Sequence, residues 1–154
     1  MFLSRLIQGA LVAAMLASIG PAAAVPVRSG NYYDETASPP AICSASLCTV
    51  FFSKLPTDKL LLVTNVACNF TTPYPVTILK LGVNTSPTSG RLQREIALQL
   101  PLPVVSSGTN YMQISHPVNF LVGPGRYPFI EAQTGSGGGS WGATCSLSGT
   151  LVSP

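Results

Sequence analysis

Charge is scarce in this sequence. Its 154 residues hold eight Lys or Arg, five Asp or Glu and a single His. With no basic run among them, the composition argues against a nucleic-acid partner. The same shortage weighs against acid–base chemistry, which needs at least two positioned titratable groups. Cysteine is limited to four residues and tryptophan to one. Long apolar runs are missing everywhere except at the start, so no segment after residue 24 is suited to span a bilayer as a helix. No segment shows a convincing helical stripe.

The beginning of the chain is the exception. Residues 1–5 carry one positive charge, at Arg5, and residues 6–19 are apolar apart from Gln8, Gly9 and Ser18. Gly20 and Pro21 break the run, and Ala22, Ala23 and Ala24 supply the small residues a signal peptidase reads. The run is shorter than the roughly 20 residues a spanning helix needs. Residues 1–24 are therefore expected to be a secretory signal cleaved after Ala24, and the mature chain to be secreted or periplasmic. Loss of Arg5 leaves a net charge of about +2 on residues 25–154, the length of one ordinary domain.

Residues 25–42 are rich in Pro, Ser and Gly around Tyr32-Tyr33-Asp34-Glu35 and read as an extended arm. From residue 43 to 154 the pattern is that of a single β domain. Residues 60–70 are apolar on both faces, which predicts a central strand. Residues 92–102 alternate, with Leu92, Ile96, Leu98, Leu100 and Leu102 sharing a face, and predict a half-buried strand. Residues 109–116 and 118–122 form two runs separated by Pro117, and residues 127–132 and 141–152 supply two more. Gly, Pro, Asn and Ser mark the turns between them. About seven or eight short strands predict an antiparallel β-sandwich of jelly-roll type, the alternative being a closed β-barrel.

Cys43, Cys48, Cys68 and Cys145 make an even number in an exported chain, which implies two disulfides. Of the three pairings, Cys43–Cys48 with Cys68–Cys145 is favoured. The first pair closes a small loop, and the second joins two mid-strand apolar positions, as a buried cross-sheet bridge would. That second bridge is worth about 4 kcal/mol on the chain-entropy account. Neither a Cys-x-x-Cys redox spacing nor a zinc ligand set is present.

Chemistry-bearing motifs are thin. Gly138-Gly139-Ser140-Trp141-Gly142 spells the G-x-S-x-G of serine hydrolases, but the sole His116 lies upstream and no acid follows. The glycines of residues 135–139 lack the lysine and helix of a phosphate loop. Glu95 and Glu131 could face each other across a sheet, although solvent-facing positions on amphipathic strands explain them more simply. His116, in phase with Val118 and Phe120, is expected to be partly buried. The acids are too scattered to hold calcium, so neither metal nor cofactor is expected.

Aromatics near loops carry the remaining functional promise: Tyr32, Tyr33, Tyr74, Tyr127 and Trp141. Flat rings beside Asn, Gln and Thr suit stacking on sugars. Arg126, Tyr127 and Trp141, beside the mobile-looking Gly loop, are the candidate binding lip, set against the simpler role of Trp141 as a core anchor. The expectation is a non-catalytic exported module with a binding or structural role, its partners a glycan or copies of itself. A small secreted hydrolase is the lesser alternative.

Overall fold

The computed structural model describes residues 25–38, 43–44, 46–87, 89–136 and 139–154. The signal-peptide reading of residues 1–24 lies outside them. Eleven strands follow one another among the described residues: β1 (Val27–Ser29), β2 (Tyr32–Ala37), β3 (Cys43–Ser44), β4 (Leu47–Phe51), β5 (Leu60–Thr72) and β6 (Val76–Asn84), then β7 (Arg91–Ala97), β8 (Val104–Ser106), β9 (Thr109–Val122), β10 (Tyr127–Thr134) and β11 (Gly142–Val152). They form two antiparallel sheets, ordered β1-β2-β11-β5-β9-β8 and β3-β4-β10-β6-β7. The architecture is the expected sandwich and not a closed barrel. The described residues contain no helix, and therefore none long and apolar enough to cross a membrane.

The core lies between the sheets. Leu61, Val63, Val66, Cys68 and Phe70 of β5 meet Leu79, Leu81 and Val83 of β6 and Ile130 and Ala132 of β10 in one cluster. β5 is central, between β11 and β9, as its two apolar faces require. Its alternation is not continuous, however. Leu61 and Val63 point inward, then Val66 and Cys68, so the phase changes across Thr64 and Asn65. The ladders to β9 and β11 both shift register there. A strict period of two would place Leu60 and Leu62 on the face of Val66. The extra residue of a β-bulge moves them to the other. Gly149 serves this irregularity, since a Cβ on it would strike the carbonyl of Leu62.

Three further expectations change. The segment read as an arm carries β1 and β2, and β2 pairs with β11 along Tyr32–Ala37. Tyr33 is fully buried there and Glu35 nearly so. The strand read over residues 92–102 stops at Ala97. Pro101 and Pro103, which have no N–H for a ladder, follow soon after, and Leu102 stands in solvent. The two runs flanking Pro117 are one strand, because Pro117 lies opposite Asn65 where the ladder is already interrupted.

Both favoured disulfides are present, Cys43–Cys48 and Cys68–Cys145. Each joins residues directly opposite on neighbouring strands, β3–β4 and β5–β11. The longer bridge therefore lies within one sheet rather than across the two. Its partners are cross-strand neighbours with Cα atoms 4.1 Å apart. Two disulfides fit an oxidising compartment.

Candidate functional site

The outer face of the five-stranded sheet carries an unusual layer. Alternation along β10 turns Ile130 and Ala132 into the core and Tyr127, Phe129 and Glu131 away from it. Outward residues of a sandwich ordinarily meet water, yet Phe129 is 0% and Glu131 1% exposed. Gly82, the cross-strand partner of Phe129, makes this possible. The ring lies where a side chain of residue 82 would be, and a Cβ there would collide with it. Phe51, the partner on the other side, tilts against Phe129 with centroids 6.1 Å apart.

Arg91, the first residue of β7, closes the layer from above. Its guanidinium stands 5.1 Å from the centroid of Phe129 in a cation–π contact and pairs through Nη2 with Glu131 Oε2. Nη1 lies 3.9 Å from Glu95 Oε1, and Lys80 Nζ donates to Glu95 Oε2 at 3.1 Å. Two cations and two carboxylates thus neutralise one another. The expectation that Glu95 and Glu131 face solvent is corrected for Glu131, which is capped by a cation brought from a different hairpin arm. Glu95 keeps partial exposure.

Beside this layer opens a cavity of about 410 Å³. Leu47, Thr49 and Phe51 of β4 form one wall, and Asn84, Ser89, Gly90 and Arg91 the other. The second wall is held by a tightly bonded turn. Thr85 N donates to Gly90 O at 3.0 Å, Ser86 Oγ donates to Ser89 O at 2.8 Å, and Ser89 N donates back to Ser86 Oγ at 3.0 Å. Gly90 adopts a φ of 75°, which an L side chain resists. Asn84 is 3% exposed, and its Oδ1 has no hydrogen-bond partner among the described residues. Buried polar atoms are nearly always paired. The oxygen itself is buried and not open to the cavity.

The sequence-derived lip is divided by the fold. Tyr127 is the cross-strand partner of Asn84 and borders the cavity layer. Arg126 precedes it in the turn, where its carbonyl accepts from Leu55 N at 2.9 Å. Trp141 belongs to the other end of the sandwich. Tyr127 opens β10 and Trp141 comes after its close, so roughly 23 Å of strand separates them. Trp141 is half-buried and packs against the core cluster. Tyr33, another of the aromatics, lies in the core.

Ser140 and His116 are also apart. Gly142 aligns with Thr71 and His116 with Val66, five residues along β5, or roughly 16 Å. His116 is half-buried, as its phase implied. Among the described residues no group of three or more His, Cys, Asp or Glu could hold a metal ion. A second buried polar cluster is closed on itself. Glu35 Oε2 accepts from Tyr33 Oη at 2.5 Å, and Oε1 accepts from Ser53 N at 3.0 Å and Ser53 Oγ at 2.8 Å. Burial first, and Glu35 second, push the Tyr33 phenol far above its ordinary pKa.

Sequence reasoning passed over Asn84, Arg91 and Thr49. In the sequence, residues 84–90 read as a polar loop with a glycosylation sequon at Asn84-Thr85-Ser86. The one usable signal is that Tyr127 and Phe129 are aromatic on the outward phase of β10, which implies that something covers that side. No protein-family model matches this chain, and comparison with curated proteins finds no match.

Proposed function

We propose that this chain is exported, cut after Ala24, and acts outside the cytoplasm as a non-catalytic binding module. Its ligand would occupy the cavity between β4 and the turn before β7. The observation that carries this reading is the cavity itself, in which Leu47, Thr49 and Phe51 stand across from Asn84, Ser89 and Arg91. The cavity offers recognition rather than chemistry, because its cation is already ion-paired and neither His nor Cys lines it. The test has two parts. N-terminal sequencing of the exported protein should begin at Val25. Amide spectra of the ¹⁵N-labelled mature protein, titrated with a mixed set of sugars, amino acids and small organic acids, should move at Thr49, Asn84, Ser89 and Arg91. Silence at these residues across the set would remove the reading.

A structural role through self-association is the second reading, favoured by the β8 edge. Leu102 is 94% exposed, Val104 68%, and Tyr111 stands beside Val104 as its cross-strand partner. No charged residue lies between Ala97 and Arg126 to discourage pairing of two such edges. The occupant would be a second copy, each edge meeting its like across a two-fold axis. Light scattering should then give a dimer mass that Val104→Lys reduces to a monomer. A monomeric parent protein would end this reading.

A further inference from the structure

We infer that the edge of β9 beyond β8 docks a short, uncharged, extended peptide as an added strand; this rests on neither reading above. β8 pairs with β9 only over Thr109–Tyr111, and among the described residues no strand continues that ladder. Two observations fix which backbone groups face the open side. Ser106 and Thr109 flank a two-residue turn, where opposed residues exchange both hydrogen bonds, so Thr109, Tyr111 and each second residue after them turn N–H and C=O away from β5. Independently, the Cα atoms of Cys68 and Cys145 lie 4.1 Å apart, the close spacing of a pair that exchanges no bonds, so Cys68 gives its backbone bonds to Ile114 on β9. Both place the N–H and C=O of Gln113 and Ser115 on the open edge. Pro117 falls in the same phase, where a missing N–H costs the sheet nothing.

Residues 98–103 run beside this edge without joining it. Leu98 N donates to Leu79 O of the other sheet at 2.9 Å, and Pro101 and Pro103 have no N–H to offer. Between that segment and β9 lie two adjoining hollows of about 290 and 400 Å³, with Pro101 and Gln113 in the walls of both. Donors and acceptors recurring at every second residue complement the backbone of another extended strand, the bonding that gives strand addition its affinity. The residue set opposite Ile114 would share its inward face. Ile114 is 5% exposed there and Leu100 packs on the core cluster, so that position takes an apolar side chain. The positions on either side meet Gln113 and Ser115, both exposed, and take polar ones. No Asp, Glu, Lys or Arg lies between Ala97 and Arg126, so a charged segment would find no counter-charge.

The experiment follows amide exchange and chemical shifts of the ¹⁵N-labelled mature protein, alone and with the peptide acetyl-Ser-Thr-Val-Thr-Ser-amide. Alone, Gln113 and Ser115 should exchange rapidly while Met112 and Ile114, bonded to β5, are protected. Protection of Gln113 and Ser115 that rises with protein concentration would make a second copy the occupant and overturn the peptide assignment. Protection at every concentration would show a closed edge and overturn the inference. With peptide, both amides should shift saturably and become protected. N-methylation of the two Thr, whose amides face β9, should abolish the response, and N-methylation of Val, whose amide faces away, should leave it. Ser115→Pro removes only the open N–H and should weaken binding about tenfold, the size of one lost hydrogen bond. The methylated peptides serve the same purpose should that variant fail to fold. Replacing the peptide's Val by Lys should silence it, and equal binding would overturn the assigned partner chemistry. No response to the parent peptide, or equal responses to the two methylated forms, would overturn the inference.

Discussion

The phenol of Tyr33 donates to the carboxylate of Glu35 at 2.5 Å, two residues along the same strand and both inside the sandwich. Glu35 then takes the backbone N–H and hydroxyl of Ser53, just beyond β4 of the opposite sheet. The pair therefore ties β2 to the far sheet, through a carboxylate that makes no ion pair among the described residues. Hydrogen bonds to a charged acceptor of this kind are stronger than neutral ones.

Tyr33→Phe should destabilise the fold by about 2 kcal/mol at neutral pH, read from urea unfolding. A pH dependence accompanies it. Because the folded state raises the Tyr33 pKa, its contribution is complete below the ordinary phenol pKa of about 10 and declines as pH rises beyond that. The gap between parent and variant should narrow between neutral pH and pH about 11. A constant gap would contradict the linkage.

The two disulfides should differ in weight. Their sequence separations are 5 and 77. On the chain-entropy account the short loop is worth about 2 kcal/mol and the long one about 4. Replacing Cys68 and Cys145 together by Ala should lower the melting temperature more than replacing Cys43 and Cys48. The reverse order would show that native packing, and not loop closure, sets the difference.

Gly82→Ala should displace the Phe129 ring, at a cost of about 1–3 kcal/mol typical of overpacking. Arg91 stacks on that ring, so the amide resonances of Arg91 and Glu131 should shift with it. Unchanged resonances at both would contradict the layered arrangement.

Arg91→Ala should cost about 2 kcal/mol by leaving Glu131 unpaired, less than for a fully buried pair because the guanidinium is half-exposed. Adding Glu131→Gln should recover part of that loss. Denaturation of the single and double variants reads the coupling directly, and simple additivity would contradict the pair.

What was legible in the sequence follows from local rules. Strand β5 announced its central place through two apolar faces, and the even number of cysteines announced two disulfides, with their pairing a preference among three. Residues 32–37 did not announce a strand, because Pro and Ser surround them and the reason for burying Tyr33 lies at Ser53, on another sheet. Phase was legible only between bulges. At Thr64 the extra residue is a property of three strands together.

The cavity shows the same division most sharply. The sequence by itself determined the all-β class, the sparse charge and the number of disulfides, since these depend on composition, periodicity and parity of residue types. Only the tertiary structure decided that Glu131 is buried, that Arg91 covers it, and that Tyr127 stands beside Asn84 and far from Trp141. Those relations arise from register between strands distant in the chain, and register is set by the joint packing of two sheets.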